Sequence, residues 1–154
     1  MLQKYKLFFP VLLITLSSCH VKNDFNSNSE LKAFSDFEIV TSHTILWKDL
    51  LNQEYEQYVV FIYSETCSHC HEIQDEIIAF AQDNIHKIYF IDTRNDQDVS
   101  IIKDIEPTYY ATDIKDIGIL GTPSLLEISE ATLTANIAGK ENILTYLNDM
   151  HQMN

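Results

Sequence analysis

Two cysteines that stand three positions apart, Cys67 and Cys70, are the residues of this chain best suited to chemistry. On a helix, residues three apart share a face, so the two sulfur atoms can form a disulfide bond or separate into two thiols. The free N–H groups and the dipole at a helix N-terminus favour a thiolate on Cys67, the first and more exposed of the pair. Since thiolate is the attacking species in thiol–disulfide exchange, we expect Cys67 to be the nucleophile and Cys70 to resolve the mixed disulfide. The spacing therefore predicts a redox-active dithiol whose oxidised form is a Cys67–Cys70 disulfide.

The same segment is compatible with other uses of its cysteines and histidines. The run Cys67-Ser68-His69-Cys70-His71 matches the Cys-x-x-Cys-His pattern of covalent haem attachment, although no distal haem ligand stands out. A structural zinc site needs four ligands, and the sequence offers neither a second Cys-x-x-Cys nor a histidine pair. Copper or zinc could bind to the two cysteines together with His69 or His71. A purely structural disulfide is disfavoured, because closing so short a loop constrains the unfolded chain very little.

An apolar strand and an amphipathic helix flank the two cysteines. Val59–Tyr63 is rich in β-branched and aromatic residues, which predicts a strand that is buried on both faces. After the cysteines, apolar residues recur with helical spacing at Ile73, Ile77, Phe80 and Ala81. A hydroxyl from Thr66, or from Ser64, is expected to cap this helix. The sequence thus predicts that a buried strand delivers the dithiol to the first turn of a helix.

The first 36 residues form two segments that precede the predicted domain. Lys4 and Lys6 lie before an apolar run, Leu7–Leu16, that is too short for a transmembrane helix. The run ends in Leu16-Ser17-Ser18-Cys19, which resembles the lipobox of bacterial lipoproteins and implies cleavage before Cys19 and a diacylglyceryl thioether on its sulfur. An ordinary secretory signal that leaves Cys19 free is the alternative. We expect residues 1–18 to be a signal peptide and the polar residues 19–36 to be a flexible tether.

Charge and length limit the function of the remaining chain. The whole sequence has 23 acidic and 10 basic residues, a formal net charge of −13, and loss of Lys4 and Lys6 makes this −15. Such an acidic protein is a poor ligand for nucleic acid and is repelled by anionic head groups, so its membrane attachment must come from acyl chains. Residues 37–154 suffice for one domain. A lipidated Cys19 places this domain on the extracytoplasmic face of the cell membrane, where disulfides persist.

The rest of the domain alternates between predicted strands and helices. Further strands are predicted at Phe37–Val40, Lys87–Asp92, Pro123–Ile128 and Leu133–Ala138, the last two as an antiparallel pair. Further helices are predicted around Ile45–Leu51, over Asp96–Ile105 and through Ile143, Leu144 and Leu147. This order indicates an α/β domain, in which a central mixed sheet of four or five strands has helices on both faces.

That order of elements, together with Cys67-Ser68-His69-Cys70, resembles the thioredoxin superfamily. A second segment, Asp116-Ile117-Gly118-Ile119-Leu120-Gly121-Thr122-Pro123, looks like the part of that family that leads into its cis-proline. The resemblance implies that Pro123 follows a cis peptide bond and faces the dithiol, and that Thr122 offers backbone groups to an extended substrate. The lipoprotein signal and the run from Tyr63 to Glu72 are also similar to thioredoxin-like proteins of Gram-positive bacteria, including bacteriocin transport accessory proteins.

Three features depart from the family pattern. Phe61 occupies the position of the buried acid that assists proton transfer in thioredoxin, so that relay is absent. Ser68 and His69 replace the Gly-Pro between the cysteines. Glu106–Lys115 is additional material, in which Tyr109 and Tyr110 either line a substrate groove or pack the insert onto the domain.

The resemblance implies a membrane-tethered extracytoplasmic thiol–disulfide oxidoreductase that acts on cysteines of exported proteins or peptides. It needs no cofactor beyond its dithiol, and a second redox protein must recycle it. His69 can stabilise the Cys67 thiolate, while Glu65 and Glu72 oppose this if they lie close. We expect His69 and the helix terminus to prevail and to give a potential more oxidising than the roughly −270 mV of thioredoxin. Metal delivery of copper or zinc, and a peptide-binding accessory role in secretion, are the alternatives.

Overall fold

A computed structural model describes residues 32–104 and 106–152 of the chain, and the predicted lipidation site Cys19 lies outside them. The α-helices are α1 (Glu38–Ser42), α2 (Ser68–Glu72), α3 (Gln74–Gln82) and α4 (Lys140–Gln152). The strands are β1 (Gln57–Tyr63), β2 (Ile88–Asp92), β3 (Ser124–Ser129) and β4 (Thr132–Ala138). Short 3-10 helices span Phe34–Asp36, Trp47–Asp49, Glu106–Thr108 and Ile114–Asp116. In the described part of the chain, no helix combines the length and apolarity needed to cross a bilayer.

The four strands form one mixed sheet in the order β2-β1-β3-β4. β1 runs parallel to β2 and antiparallel to β3, and Ile62 lies opposite both Ile91 and Ser124. β3 and β4 are antiparallel, and Ser124 lies opposite Ala138. The segments after β1, before β3 and after β4 therefore meet at one end of the sheet. These are the segments that carry Cys67, Pro123 and Lys140.

Each face of the sheet is covered by its own apolar cluster. On one face, α3 and α4 pack on the side chains of the central strands, among them Val59, Phe61 and Leu125. On the other face, Val60 and Ile62 pack beneath Trp47 and the segment that contains Ile117. The alternate residues of β1 are thus buried on both sides, as the apolar run predicts. The α/β architecture with a mixed, helix-flanked sheet is confirmed, with 3-10 helices as the helical elements on the second face.

The strand predicted at Phe37–Val40 is wrong, because that segment forms helix α1. The side chain of Val40 is fully buried against the helical layer. Strand-like pairing occurs a few residues later, where Phe90 of β2 donates its N–H to His43 and accepts one from Ile45. A short apolar run is compatible with either a strand or a helix, and tertiary packing decides between the two.

The helix predicted over Asp96–Ile105 is also absent from residues 96–104. The buried Asp96 carboxylate accepts the backbone N–H groups of Trp47 and Asp98, which favours a turn over a helix. Ile101 then forms an isolated parallel bridge with Ile119. This extended segment therefore pairs with the chain that leads to Pro123 and supports it.

The domain begins earlier than residue 37, the predicted boundary. Phe34 belongs to a 3-10 helix and is fully buried. Its ring centroid lies 4.6 Å from that of Tyr63 and 5.6 Å from that of Phe61. At least three residues of the predicted tether are thus part of the folded domain.

The turn between β3 and β4 provides a stability prediction. Its two residues, Glu130 and Ala131, have φ values of 50° and 55°, a region that glycine adopts without steric cost. Ala131→Gly should therefore raise the free energy of unfolding by about 1 kcal/mol. Ala79→Gly, at an exposed position inside α3, should lower it by about 1 kcal/mol. Urea unfolding of both variants measures this, and a destabilised Ala131→Gly would contradict the turn geometry.

Candidate functional site

The turn after β1 places Cys67 at the start of α2. The N–H of Cys67 donates to the Ser64 carbonyl (2.9 Å), and the N–H of Cys70 donates to the Cys67 sulfur (3.2 Å). Cys67 itself is therefore the N-cap, and the prediction of a Thr66 or Ser64 cap is wrong. Those two hydroxyls instead hydrogen-bond to each other at 3.0 Å. The first helical turn is present as predicted, although the helix is interrupted at Ile73 before α3 continues.

The two sulfur atoms have different environments. Both cysteines are free thiols; Cys67 is partly exposed, whereas Cys70 is fully buried. Burial, and then contact with Cys67, raises the pKa of the Cys70 thiol to about 12. Cys70 thus stays protonated at neutral pH, while Cys67 is accessible to another molecule. Thiol–disulfide exchange needs one sulfur that a substrate can reach and a second thiol close by that can break the mixed disulfide, and Cys67 and Cys70 meet these two requirements.

The segment before β3 closes one side of the dithiol. The bond between Thr122 and Pro123 is cis, as the resemblance implied. The Cys67 thiol donates to the Thr122 carbonyl at 3.4 Å, so this segment does face the redox pair. The Ser124 hydroxyl donates to the Gly121 carbonyl (2.7 Å) and the Gly139 N–H to the Pro123 carbonyl (3.0 Å). These bonds fix Thr122 beside Cys67.

A close backbone approach supports the same segment from behind. A Cβ atom on Gly118 would lie 2.6 Å from Cγ2 of Ile102. The Gly118 carbonyl accepts from the buried Asn136 side chain at 2.8 Å. The glycine therefore lets two layers of chain pack tightly just upstream of Thr122.

The histidines of the motif point away from a common centre. His69 is exposed, as is Ser68, and its Nδ1 lies 3.5 Å from the Glu72 carboxylate. The Nε2–H of His71 donates to the Glu65 carbonyl at 2.8 Å, and its Nδ1 is buried without a hydrogen-bond partner. Among residues 32–104 and 106–152, no group of three or more His, Cys, Asp or Glu side chains is placed to hold a metal ion.

The two carboxylates expected to oppose a Cys67 thiolate are each engaged elsewhere. Glu65 accepts the N–H groups of Phe34 (3.0 Å) and Ser35 (2.8 Å), and Arg94 lies 4.0 Å away. Glu72 is bound by the Lys140 ammonium, which lowers the pKa of the Glu72 carboxyl. Neither carboxylate is therefore the unpaired negative charge that the sequence alone suggests.

Sequence reasoning missed Arg94 and Lys140, the cations that lie against Glu65 and Glu72. Arg94 contacts Asp92 at 3.0 Å as well as Glu65. Both cations are among the first residues after a strand, Arg94 after β2 and Lys140 after β4. The strand order is the signal that could have found them, because it places the residues after β2 and β4 at the same end of the sheet as the dithiol. Phe61, in contrast, lies in the apolar core as predicted.

The insert around Glu106–Thr108 packs on the domain away from the dithiol. The Tyr110 N–H donates to the Leu133 carbonyl (2.9 Å), and Leu133 lies opposite Ile128. Ile128 is five residues from Pro123 along β3, which corresponds to about 17 Å of strand. The insert is attached through the Tyr110 backbone, whereas Tyr109 and Tyr110 are 40% and 78% exposed, so the structure shows neither of the two predicted roles for their rings.

Comparisons with solved structures agree with this architecture. Mitochondrial thioredoxin 3 of Saccharomyces cerevisiae is 14% identical and superimposes with a TM-score of 0.51 over 72% of this chain and 98% of its own. Thioredoxin f2 of Chlamydomonas reinhardtii is 16% identical, with a TM-score of 0.45 over 71% of this chain and 94% of its own. No family model matches the sequence. The superposition on mitochondrial thioredoxin 3, together with the strand order, shows that the described part of the chain has a thioredoxin-like fold.

Proposed function

We propose that the protein is a thiol–disulfide oxidoreductase. The observation that carries the proposal is the pairing of an accessible Cys67 with a buried Cys70 thiol whose sulfur atoms share one helical turn. The thioredoxin-like fold supports the same class of activity. In the oxidising direction, a substrate thiolate attacks the Cys67 sulfur of the Cys67–Cys70 disulfide, and Cys70 leaves and takes up a proton. A second substrate thiolate then attacks the mixed disulfide, which releases the Cys67 thiolate and leaves a substrate disulfide; the reverse sequence of steps reduces a substrate disulfide.

The Thr122 segment supports a specific mode of substrate docking. Its carbonyl lies against the Cys67 sulfur, so an extended peptide placed alongside would bring its own sulfur to the nucleophile. We propose that the substrates are cysteine-containing exported proteins or peptides, and that a separate redox protein restores the dithiol. Lipidated Cys19 would hold the domain on the extracytoplasmic face of the membrane.

The direction of exchange is proposed to be oxidising. Glu65 and Glu72, the two acids that would destabilise the Cys67 thiolate, are bound to backbone amides and to Lys140. A stabilised thiolate makes the corresponding disulfide a stronger oxidant. We therefore expect a potential above the roughly −270 mV of thioredoxin.

Turnover of a defined disulfide substrate tests the activity. The soluble domain, residues 32–154, should reduce insulin with dithiothreitol as donor and should form disulfides in a reduced, unfolded protein with oxidised glutathione as acceptor. Cys67→Ser should abolish both reactions, because the attacking sulfur is lost. Absence of turnover in both directions for the unmodified protein would overturn the proposed function. Glutathione equilibration decides the direction, and a potential at or below that of thioredoxin would make the protein a reductase.

A further inference from the structure

A chain of three charged or titratable side chains links the redox motif to the start of α4. The His69 Nδ1 lies 3.5 Å from Oε2 of Glu72, and the Lys140 ammonium contacts the same oxygen. Glu141 is the next carboxylate, 3.7 Å from the ammonium. Lys140 is the most shielded member of the chain, with 27% of its side chain exposed against 47% for Glu72 and 62% for His69. This shielding places the cation in a defined position on the surface.

The backbone holds Lys140 in place from the side of the docking segment. Gly139 has a φ of 84° and donates its N–H to the Pro123 carbonyl at 3.0 Å. Just before it, Ala138 lies opposite Ser124. The main chain that carries Lys140 is therefore attached to the same segment that presents Thr122 to Cys67. The side chain then reaches Glu72, 68 residues earlier in the chain.

We propose that Lys140 is a positioning residue of the redox site, which acts by holding the Glu72 carboxylate and so favours the Cys67 thiolate. Two consequences of its loss work in the same direction. The site loses a cation, and Glu72 becomes an unbalanced anion. Glu65 does not take over this role, because it is bound to the amides of Phe34 and Ser35 and faces Arg94. The inference rests on the proposed function, since it assigns a role within that site.

One effect opposes these two and can be separated from them. A freed Glu72 carboxylate favours protonation of His69, and a protonated imidazole stabilises a neighbouring thiolate. Imidazoles are mostly neutral by pH 8.5, so the opposing effect disappears there. The influence of Lys140 is therefore measured over a range of pH that includes this value.

The rate of Cys67 alkylation by iodoacetamide tests the proposal without any turnover assay. Lys140→Met should slow alkylation by about two- to fivefold between pH 7 and 8.5, the size expected for a partly exposed ion pair. Glu72→Gln should leave the rate unchanged or raise it up to about twofold. In the double variant the effect of Lys140→Met should fall below half of its value in the unmodified protein, because Lys140 acts through Glu72. Lys140→Arg should restore the original rate, since it keeps the pairing.

Lys87→Met is the matched control. It also removes one positive charge, but Lys87 adjoins Val59 at the opposite end of β1 from the dithiol. It should change the alkylation rate by less than about 1.5-fold, because separated exposed charges are screened by salt. Urea unfolding of each variant shows whether the fold is retained.

Two results would overturn the assignment. An unchanged alkylation rate in folded Lys140→Met would remove Lys140 from the site. If Lys140→Met slows alkylation equally in the unmodified protein and in Glu72→Gln, the lysine acts by its own charge and not by holding the carboxylate. Both results are distinct from failure of the proposed function, which is decided by turnover of the unmodified protein.

Discussion

Phe34→Ala should lower the free energy of unfolding by about 3–5 kcal/mol, the range for truncating a fully buried aromatic side chain. The ring has no exposed surface, and it packs against Phe61, Tyr63 and His71 with centroid distances of 5.6, 4.6 and 6.0 Å. Its removal leaves a cavity under the strand that leads to Cys67. Because small domains have about 5–15 kcal/mol of total stability, the loss is a large fraction of what holds the fold together. Urea unfolding at constant pH measures it.

Phe37→Ala is the control for this change. Phe37 is only partly buried, and Lys32 lies over its ring at 4.1 Å from the centroid. Its truncation should cost about 1–2 kcal/mol, because less area leaves water on folding. Equal small losses for both variants would mean that the chain before residue 37 is a tether, as the polar composition predicts. A large loss of stability for Phe34→Ala alone would establish that Phe34 belongs to the folded domain and that the domain begins before residue 37.

The parts of the fold that the sequence predicts well are those with one strong periodic signal. β1 is a continuous apolar run, and it is buried on both faces. α3 presents Ile77, Phe80 and Ala81 to the core as the helical spacing indicates. The β3–β4 hairpin follows from two apolar runs close together in sequence. In each case local pattern and tertiary packing favour the same structure.

The failures occur where a local pattern competes with a long-range contact. Residues 96–104 have helical spacing, yet the Asp96 side chain binds the Trp47 backbone, and the later residues pair with Ile119. Phe34 is surrounded by polar residues in sequence, and its burial depends on Glu65 accepting two N–H groups from across the chain. A contact between residues some thirty or more positions apart leaves no periodic trace.

The candidate site shows the same division. Cys67 and Cys70 are identifiable from spacing, because the chemistry and the helix geometry require the same three-residue separation. The electrostatic surroundings of the two cysteines cannot be identified in this way. From the sequence alone, Glu65 and Glu72 are negative charges that would destabilise a thiolate, because the residues that bind them are distant in the chain. Arg94 and Lys140 become visible as those partners only when the strands bring their ends together.

Iodoacetamide should alkylate Cys67 and leave Cys70 almost unmodified between pH 6 and 9. Burial and the contact with Cys67 raise the pKa of the Cys70 thiol from 9.0 to about 12, which at pH 8 lowers its thiolate fraction about a thousandfold. The buried sulfur is also inaccessible to the reagent. Since the unfolded state loses this proton at lower pH than the folded state, the same shift should lower stability as the pH rises above about 9. Mass spectrometry of each cysteine over time measures both rates in one sample.

Single-cysteine variants separate burial from the contact between the sulfurs. In Cys67→Ser the contact with a second thiol is gone but burial remains, so Cys70 should still react at least about a hundredfold more slowly than Cys67 does in Cys70→Ser. Its rate should increase about tenfold per pH unit up to the highest pH at which the fold persists. Comparable rates for the two single cysteines would show that Cys70 is reachable by solvent. The distinction between attacking and resolving sulfur, on which the proposed exchange reaction depends, would then be lost.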